Sequence, residues 1–173
     1  MKKIFAISGS TKASSTNALY IIAITRFLGE AYEIINIPSI SELPHFNPDL
    51  DIDNPAEAVE ILRNSILQAD GIIISTPEYA MGLPGSLKNL LDWTVSSASF
   101  SKKPVLALVA STQGEKAYQS IIDILTVLES NVYAQLIPFA KTKIDSEATI
   151  TDNETLIALK TTVDSFVASI ENG

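Results

Sequence analysis

Two short, continuously apolar segments constrain the fold of this chain more than any other feature. Residues 71–76 read GIIIST and residues 104–110 read PVLALVA. Runs of this length that are rich in Ile and Val, with no polar alternation, are typical of parallel strands covered on both faces. Parallel strands need crossover connections, which are usually helices that also cover the sheet. The chain is therefore predicted to be an α/β protein.

The rest of the sequence supplies the remaining elements. Strands are predicted over Lys3–Ser8, Tyr32–Ile37, Gly71–Thr76, Pro104–Ala110 and Asn131–Pro138. Helices are predicted over Thr16–Gly29, Pro55–Ala69, Ser86–Ser97, Ala117–Ser130 and Asn153–Ile170. Thr151 and Glu154 have the spacing of a capping box before the last helix. The alternation predicts a three-layer α/β sandwich around a five-stranded parallel sheet in the order 2-1-3-4-5. We expect residues 1–173 to form a single domain, because the sequence has no internal repeat and no linker-like stretch.

Charge and residue usage exclude several kinds of site. The net charge of −8 comes from 20 acidic and 12 basic residues without a basic cluster, so no nucleic-acid partner is expected. With no cysteine and one histidine, His45, the chain offers neither thiolate chemistry nor a multi-histidine metal site. The alternating acids Asp49, Asp51 and Asp53 lack the glycine and glutamate of a calcium loop. We expect no metal site, a solvated acidic loop and a surface position for His45.

No apolar run approaches the roughly 20 residues that a membrane-spanning helix needs. The apolar stretch near the N-terminus ends at Ser8. It is shorter than the roughly 7–15 residues of a signal-peptide core. We therefore expect a cytoplasmic protein without a membrane partner.

The connection after the first predicted strand, SGSTKASSTN at residues 8–17, is rich in hydroxyl side chains. In doubly wound folds this connection leads into a helix N-terminus, where free N–H groups and the helix dipole favour a phosphate. The segment lacks both GxGxxG and GxxxxGK[ST]. It is suited to a terminal monophosphate such as that of FMN, with Lys12 adding one positive charge. The alternative is that the hydroxyls only cap the helix and contact water.

The connection after the third predicted strand, TPEYAMGLPGSLKN at residues 76–89, is expected to be stiff. Its two prolines fix φ, and its two glycines allow close backbone approach. In the 2-1-3-4-5 order it faces the first connection across the topological switch point. Its main-chain groups are suited to the edge of a flavin ring, with Tyr79 and Met81 covering the ring. The alternative is that these two side chains simply pack and that Glu78 caps a helix.

The connection after the fourth predicted strand, ASTQGEKAY at residues 110–118, should lie at the same edge of the sheet. Ser111, Thr112 and Gln113 are therefore candidates for contacting one end of the flavin.

The first two of these connections resemble the NADPH-dependent FMN reductase family of flavodoxin-like proteins, which includes azo dye, quinone and chromate reductases. The family's first connection typically runs Gly-Ser-x-Arg-x-x-Ser-x-Asn, and its second runs Pro-Glu-Tyr-Asn-x-x-x-Pro-Gly-x-Leu-Lys-Asn-x-x-Asp-Trp. The matching residues are Gly9, Ser10, Ser15, Asn17, Pro77, Glu78, Tyr79, Pro84, Gly85, Leu87, Lys88, Asn89, Asp92 and Trp93. The resemblance implies a flavodoxin-like fold over nearly the whole chain.

The resemblance also implies which residues bind the cofactor. The residues that would hold the FMN phosphate are Ser10, Lys12, Ser15, Thr16 and Asn17. The residues that would line the ribityl chain and ring are Pro77, Glu78, Tyr79 and Ala80. Lys12 stands where the family usually has arginine, so a bidentate phosphate contact is lost. Ala80 stands where asparagine is usual, so a side-chain amide is lost. The resemblance also suggests that the helix carrying Trp93 lies at a dimer interface, in a homodimer or homotetramer; the alternative for this helix is ordinary core packing.

The function implied by the resemblance is an FMN-dependent oxidoreductase with NADPH or NADH as co-substrate. Its acceptor would be a small molecule such as a quinone, an azo compound or free flavin. No catalytic side chain is expected, because the cofactor carries the chemistry. Two alternatives stay open at this point: a flavodoxin-type electron carrier, and an interaction protein of the same fold that has lost its cofactor.

Overall fold

The computed structural model describes residues 1–12, 14–36, 39–51 and 55–172. The strands are β1 Lys2–Ser8, β2 Tyr32–Asn36, β3 Gly71–Thr76, β4 Pro104–Ala110 and β5 Asn131–Ile137. The helices are α1 Thr16–Leu28, α2 Glu57–Gln68, α3 Gly85–Asp92, α4 Glu115–Val127 and α5 Asn153–Glu171. All five strands pair in parallel in the order β2-β1-β3-β4-β5, which confirms the predicted 2-1-3-4-5 sheet. The predicted end of the second strand, Ile37, lies outside the described residues.

Helices cover both faces of the sheet, which explains why β3 and β4 are apolar throughout. Alternate residues of a strand point to opposite faces. Ile73 belongs to the core that α1 and α5 form with the sheet. Its neighbours Ile72 and Ile74 belong to the core on the other face, with α2, α3 and α4. Every residue of β3 and β4 is consequently buried. Within the described ranges, no helix has the length and apolar character that crossing a membrane would require.

The register of the sheet brings four connections to one edge. Ser8 of β1 pairs with Ser75 of β3. Further along, Thr76 pairs with Val109 of β4, and Ala110 pairs with Ile137 of β5. The connections that leave β1, β3, β4 and β5 therefore all begin at the carboxyl edge of the sheet, where ligands bind in doubly wound folds.

The third helix is shorter than predicted, because α3 ends at Asp92 rather than Ser97. The carbonyl of Trp93 accepts hydrogen bonds from Nε and Nη2 of Arg63 at 2.8 and 2.6 Å, so it does not continue the helical ladder. The N–H of Thr94 bonds to the carbonyl three residues back, at the tighter 3₁₀ spacing. A tertiary contact from α2 therefore ends this helix.

The predicted cap of the last helix is also wrong. The N-cap of α5 is Asp152, whose Oδ2 accepts the N–H of Thr155 at 2.9 Å. Hydrogen bonds from the side chain and the backbone N–H of Thr155 hold the pKa of Asp152 below its ordinary value. The N–H of Thr151 donates instead to the carbonyl of Lys143 at 2.9 Å, which fixes Thr151 in the preceding connection.

The acidic loop before α2 is only partly solvated. His45 and Asp49 are exposed, as predicted. Asp51 is buried and forms an ion pair with Arg63, so its predicted exposure is wrong. A buried carboxylate needs such a partner to offset the loss of solvation. Asp53 lies outside the described residues.

The motif residues at the end of α3 hold the β2–α2 connection in place. Trp93 is 1% exposed, and its Nε1 donates to the carbonyl of Pro44 at 2.8 Å. Asn89 donates to the same carbonyl from Nδ2 and accepts the N–H of Phe46 at Oδ1, at 2.9 and 2.7 Å. The rings of Phe46 and Trp93 meet edge to face, with centroids 5.1 Å apart. In the chain, Trp93 therefore serves core packing.

Candidate functional site

A cleft of about 550 Å³ lies at the carboxyl edge of the sheet, where the four connections meet. This volume is within the range of small-molecule and cofactor sites, about 300–1,000 Å³. The lining residues are Ser10, Lys12, Ser14, Ser15, Thr16, Asn17, Pro77, Glu78, Tyr79, Ala110, Ser111, Thr112, Phe139, Ala140, Lys141 and Thr142.

The β1–α1 connection is ordered by its own hydroxyl groups. The hydroxyl of Ser8 donates to the carbonyl of Ser10 and accepts its N–H, at 3.2 and 3.3 Å. The hydroxyl of Ser10 in turn accepts the N–H of Lys12 at 3.3 Å. Ser10 and Lys12 both line the cleft.

Gly9 presses this connection against β3. Its N–H donates to the carbonyl of Ser75 at 2.7 Å. A Cβ at position 9 would lie 2.5 Å from Oγ1 of Thr76. Only glycine allows this approach, which brings the first connection beside the one that leaves β3.

The N-terminus of α1 is fixed above the ends of β3 and β4. Ser15 is the N-cap, and its Oγ accepts the N–H of Asn17 at 3.2 Å. The buried amide of Asn17 donates from Nδ2 to the carbonyl of Ala110 at 3.2 Å and accepts the hydroxyl of Ser75 at 2.9 Å. The first N–H groups of a helix have no partner within the helix. Asn17 therefore holds the N-terminus of α1, with the hydroxyls of Ser15 and Thr16, at the cleft.

The β3–α3 connection contains a tight hairpin. Tyr79 and Gly82 exchange two backbone hydrogen bonds of 3.0 Å each. The residues between them, Ala80 and Met81, have φ of 48° and 63°, as a type I′ turn requires. Tyr79 is 52% exposed and lines the cleft, whereas Ala80 and Met81 do not lie among the lining residues. Asparagine tolerates positive φ better than alanine, which gives a backbone reason for asparagine at position 80 of the family pattern.

Glu78 joins the β3–α3 connection to α4. Its Oε2 accepts the N–H groups of Lys116 and Ala117, each at 2.9 Å. The N-cap of α4 is Gly114, which has no side chain to offer. The carboxylate therefore caps α4 from another connection and suits the positive end of its dipole. The N–H of Glu78 donates to Oγ of Ser111 at 3.2 Å, which also joins the β3–α3 connection to the β4–α4 connection.

The β4–α4 connection contributes Ser111 and Thr112, two of its three candidate residues, to the cleft. Gln113, the third candidate there, does not lie among the lining residues. Gly114 turns the chain into α4 with φ of 120°, and a Cβ there would lie 2.8 Å from Leu136.

The β5–α5 connection forms a wall of the cleft that was not predicted. The N–H of Phe139 donates to the carbonyl of Thr112, and that of Ala140 to the carbonyl of Ser111, at 3.1 and 3.0 Å. The lining residues missed by the sequence analysis are Ser14, Ala110, Phe139, Ala140, Lys141 and Thr142. The available signal was the predicted end of the fifth strand at Pro138, because the residues after it must begin at the same edge.

The donor set of the cleft fits an FMN-like molecule. Its charged lining residues are Lys12, Lys141 and Glu78, and the carboxylate of Glu78 is already committed to α4. The two lysines give local positive charge in a chain of net charge −8, beside the hydroxyls and N–H groups of α1. Pro77 and Tyr79 supply apolar surface to the same cleft. A phosphate fits the first group and an aromatic ring fits the second.

The chain is similar to known flavoenzymes. The model of the family described as NADPH-dependent FMN reductase matches residues 2–142. The quinone reductase of Escherichia coli K12 is 30% identical, over 75% of this chain and 72% of that protein. The NADH-dependent flavin reductase subunit 2 of Lactobacillus johnsonii is 31% identical, over 98% and 97%. The solved structure of the flavoenzyme NAD(P)H:(acceptor) oxidoreductase FerB from Paracoccus denitrificans superposes with a TM-score of 0.80 at 27% identity, covering 99% of this chain and 98% of that one.

The fold, the cleft and these similarities agree on one assignment. The chain belongs to the NADPH-dependent FMN reductase family of flavodoxin-like proteins and is an FMN-dependent oxidoreductase that uses NAD(P)H.

Proposed function

We propose that the cleft holds FMN and that the enzyme reduces a quinone, an azo compound or free flavin with electrons from NAD(P)H. The observation that carries this proposal is the meeting of the β1–α1, β3–α3 and β4–α4 connections at one cleft of about 550 Å³. Bound FMN would supply the capacity for hydride and electron transfer, and the protein would supply binding, orientation and electrostatics.

The phosphate end of the site is proposed to lie at the N-terminus of α1. Ser10, Ser15 and Thr16 offer hydroxyl donors there, and Lys12 offers a positive charge. Asn17 acts as a positioning residue in this proposal, because its amide is bonded to β3 and to the end of β4.

The ring end is proposed to lie between the β3–α3 and β4–α4 connections. Pro77 and Tyr79 would cover the ring, while Ser111 and Thr112 would lie at its edge. The side chain of Glu78 contributes indirectly, by fixing the connection to α4 through its two 2.9 Å hydrogen bonds.

The acceptor is proposed to be a flat aromatic molecule. Tyr79 is half exposed at the cleft, and Met81 is exposed at the tip of the hairpin beside it. An aromatic ring and a polarizable thioether favour stacked, planar partners. The quinone reductase named among the similar proteins supports the same class of acceptor.

We also propose that the chain is one FMN-binding domain that acts as a homodimer through the surface around α3. Apolar side chains are exposed there at Met81, Phe46, Leu50 and Val95. Sedimentation should show a dimer, and Val95→Asp should shift it towards monomer. A monomeric wild-type protein would overturn the dimer.

A cytoplasmic location is part of the proposal. Its support is that the short apolar stretch compared above with a signal-peptide core is β1, Lys2–Ser8. This strand lies between β2 and β3 and is part of the folded sheet.

The test is an FMN titration with Ser15→Asp as the principal variant. Aspartate caps helices as well as serine does, so α1 should keep its N-cap. The added carboxylate should nevertheless repel the phosphate and weaken FMN binding at least about tenfold. Ser165→Asp, on the exposed face of α5, is the matched control and should bind like wild type.

The purified protein should also be yellow, with flavin absorption at about 450 nm. It should oxidise NADPH or NADH when a quinone is supplied. Unchanged FMN affinity in Ser15→Asp would contradict the phosphate site, and the absence of NAD(P)H turnover would contradict the proposed reaction.

A further inference from the structure

The segment Phe139–Thr142, which we call the fourth wall, is anchored rather than loose. Ala140 is 1% exposed. Its N–H donates to the carbonyl of Ser111 at 3.0 Å, and its carbonyl accepts the buried hydroxyl of Tyr20 at 3.1 Å. Burial raises the pKa of Tyr20 far above its ordinary value, so the hydroxyl stays protonated and remains a donor. The wall therefore has a fixed position against both α1 and the β4–α4 connection.

The anchor places the fourth wall beside the first turn of α1. Tyr20 follows Thr16 by four residues and Asn17 by three, so the three lie on one face of the helix. Thr16 and Asn17 line the same cleft as the fourth wall. The wall thus lies next to the N-terminus of α1, which is proposed to receive the phosphate.

Phe139 adopts a strained backbone conformation at this place. Its φ and ψ are 53° and 34°, in the left-handed region that residues with a Cβ seldom occupy. Its carbonyl accepts both the N–H and the hydroxyl of Thr142, at 3.0 and 2.8 Å. Its side chain is 61% exposed. Such strain is often found at functional sites, and here it forms the short turn that carries Lys141 to the cleft.

Charge singles out Lys141 among the residues of the wall. Among the described residues that line the cleft, three are charged, and Glu78 is committed to α4. The remaining two, Lys12 and Lys141, stand on connections that follow different strands. Lys12 is a single point charge where the family pattern has the two-pronged guanidinium of arginine.

We propose that Lys141 is a second cation for the FMN phosphate, held opposite Lys12 by the fourth wall. This inference rests on the proposed binding of FMN in the cleft. Two lysines on separate connections would supply the two phosphate contacts that the forked guanidinium of one arginine supplies in the family pattern. The nearby helix N-terminus adds to the attraction of the two lysines for the phosphate, and the net negative charge of the chain opposes it.

The test compares FMN with riboflavin, which has the same ring and ribityl chain but no phosphate. Equilibrium titrations would follow the quenching of flavin fluorescence with the full chain freed of bound flavin. Lys141→Gln should weaken FMN binding roughly 5- to 20-fold and leave riboflavin binding unchanged. Lys141→Arg should restore FMN affinity. The loss in Lys141→Gln should shrink at high salt, because the contact is partly solvated.

The matched control is Lys143→Gln, in the same connection but outside the lining of the cleft. It should bind FMN like wild type. Equal FMN affinity in Lys141→Gln and wild type would overturn the inference, as would an equal loss for FMN and riboflavin or for both lysine variants. A wild-type protein that binds neither flavin would instead overturn the proposed function itself.

Discussion

The hairpin at Tyr79–Gly82 allows a direct measurement of backbone strain beside the cleft. Ala80 has φ of 48°, where an L-residue with a Cβ costs about 1–2 kcal/mol. Ala80→Gly removes that cost from the folded state. The same change gives the unfolded chain more freedom, which costs about 0.4–1 kcal/mol. The net expectation is a gain of about 0.8 kcal/mol in the free energy of unfolding, the middle of a range from roughly 0 to 1.6 kcal/mol.

The matched control makes the same substitution where the backbone is helical. Ala158 lies inside α5, where glycine in place of alanine costs about 1 kcal/mol. For a chain of this length, 1 kcal/mol shifts Tm by about 2–4 °C. Tm should therefore rise by about 1–4 °C in Ala80→Gly and fall by about 2–4 °C in Ala158→Gly. Thermal unfolding followed by circular dichroism, on protein freed of bound flavin, measures both shifts without ligand linkage.

Ala80→Asn provides an independent check of the same strain. Asparagine tolerates positive φ and does not add the freedom of glycine to the unfolded chain. Its Tm should rise at least as much as that of Ala80→Gly. A lower Tm in both Ala80 variants would refute the assignment of strain to this turn.

Three further predictions concern other contacts of the fold and the cleft. Glu78→Gln should lower stability by about 1 kcal/mol, because the cap of α4 loses its negative charge; denaturant unfolding measures this loss, and an unchanged midpoint would contradict the cap. Gly9→Ala should lower stability by about 1–3 kcal/mol and weaken FMN binding, since its Cβ would lie 2.5 Å from Oγ1 of Thr76; wild-type Tm and affinity would contradict the close approach. Asp70→Asn tests pH dependence. The backbone N–H of Lys3 holds the pKa of Asp70 below its usual 3.8, so the folded state favours the charged form. That stabilisation is present above pH 3.8 and is lost as the pH falls through the lowered pKa. The stability difference between wild type and Asp70→Asn should be below about 1 kcal/mol at neutral pH and shrink under acid, as pH-dependent denaturant unfolding would show; a difference that grows under acid would refute this sign.

The sheet was predictable because its signal is local. The segments Gly71–Thr76 and Pro104–Ala110 are strands with the predicted bounds, since burial on both faces requires apolar residues at every position. The cleft followed from the same signal, because the order of parallel strands decides which connections meet at one edge.

The deviations come from contacts between residues far apart in sequence. Arg63 ends α3 by bonding the carbonyl of Trp93, and the same side chain pairs with the buried Asp51. The sequence around Ser97 or Asp51 contains no sign of either contact, because the partner lies in another helix.

The fourth wall was missed for a related reason. Phenylalanine rarely has positive φ, so nothing in the residues after Pro138 indicated the turn at Phe139. The turn depends on hydrogen bonds to Thr112, Ser111 and Tyr20, which come from two other parts of the chain.

A crystal structure of the FMN complex would show whether the cleft is the cofactor site. We predict the phosphate at the N-terminus of α1, with Ser15 and Thr16 on one side and Lys141 on the other. We also predict the ring against Pro77 and Tyr79. FMN bound elsewhere on the chain, or in this cleft with its phosphate directed away from α1, would contradict this prediction.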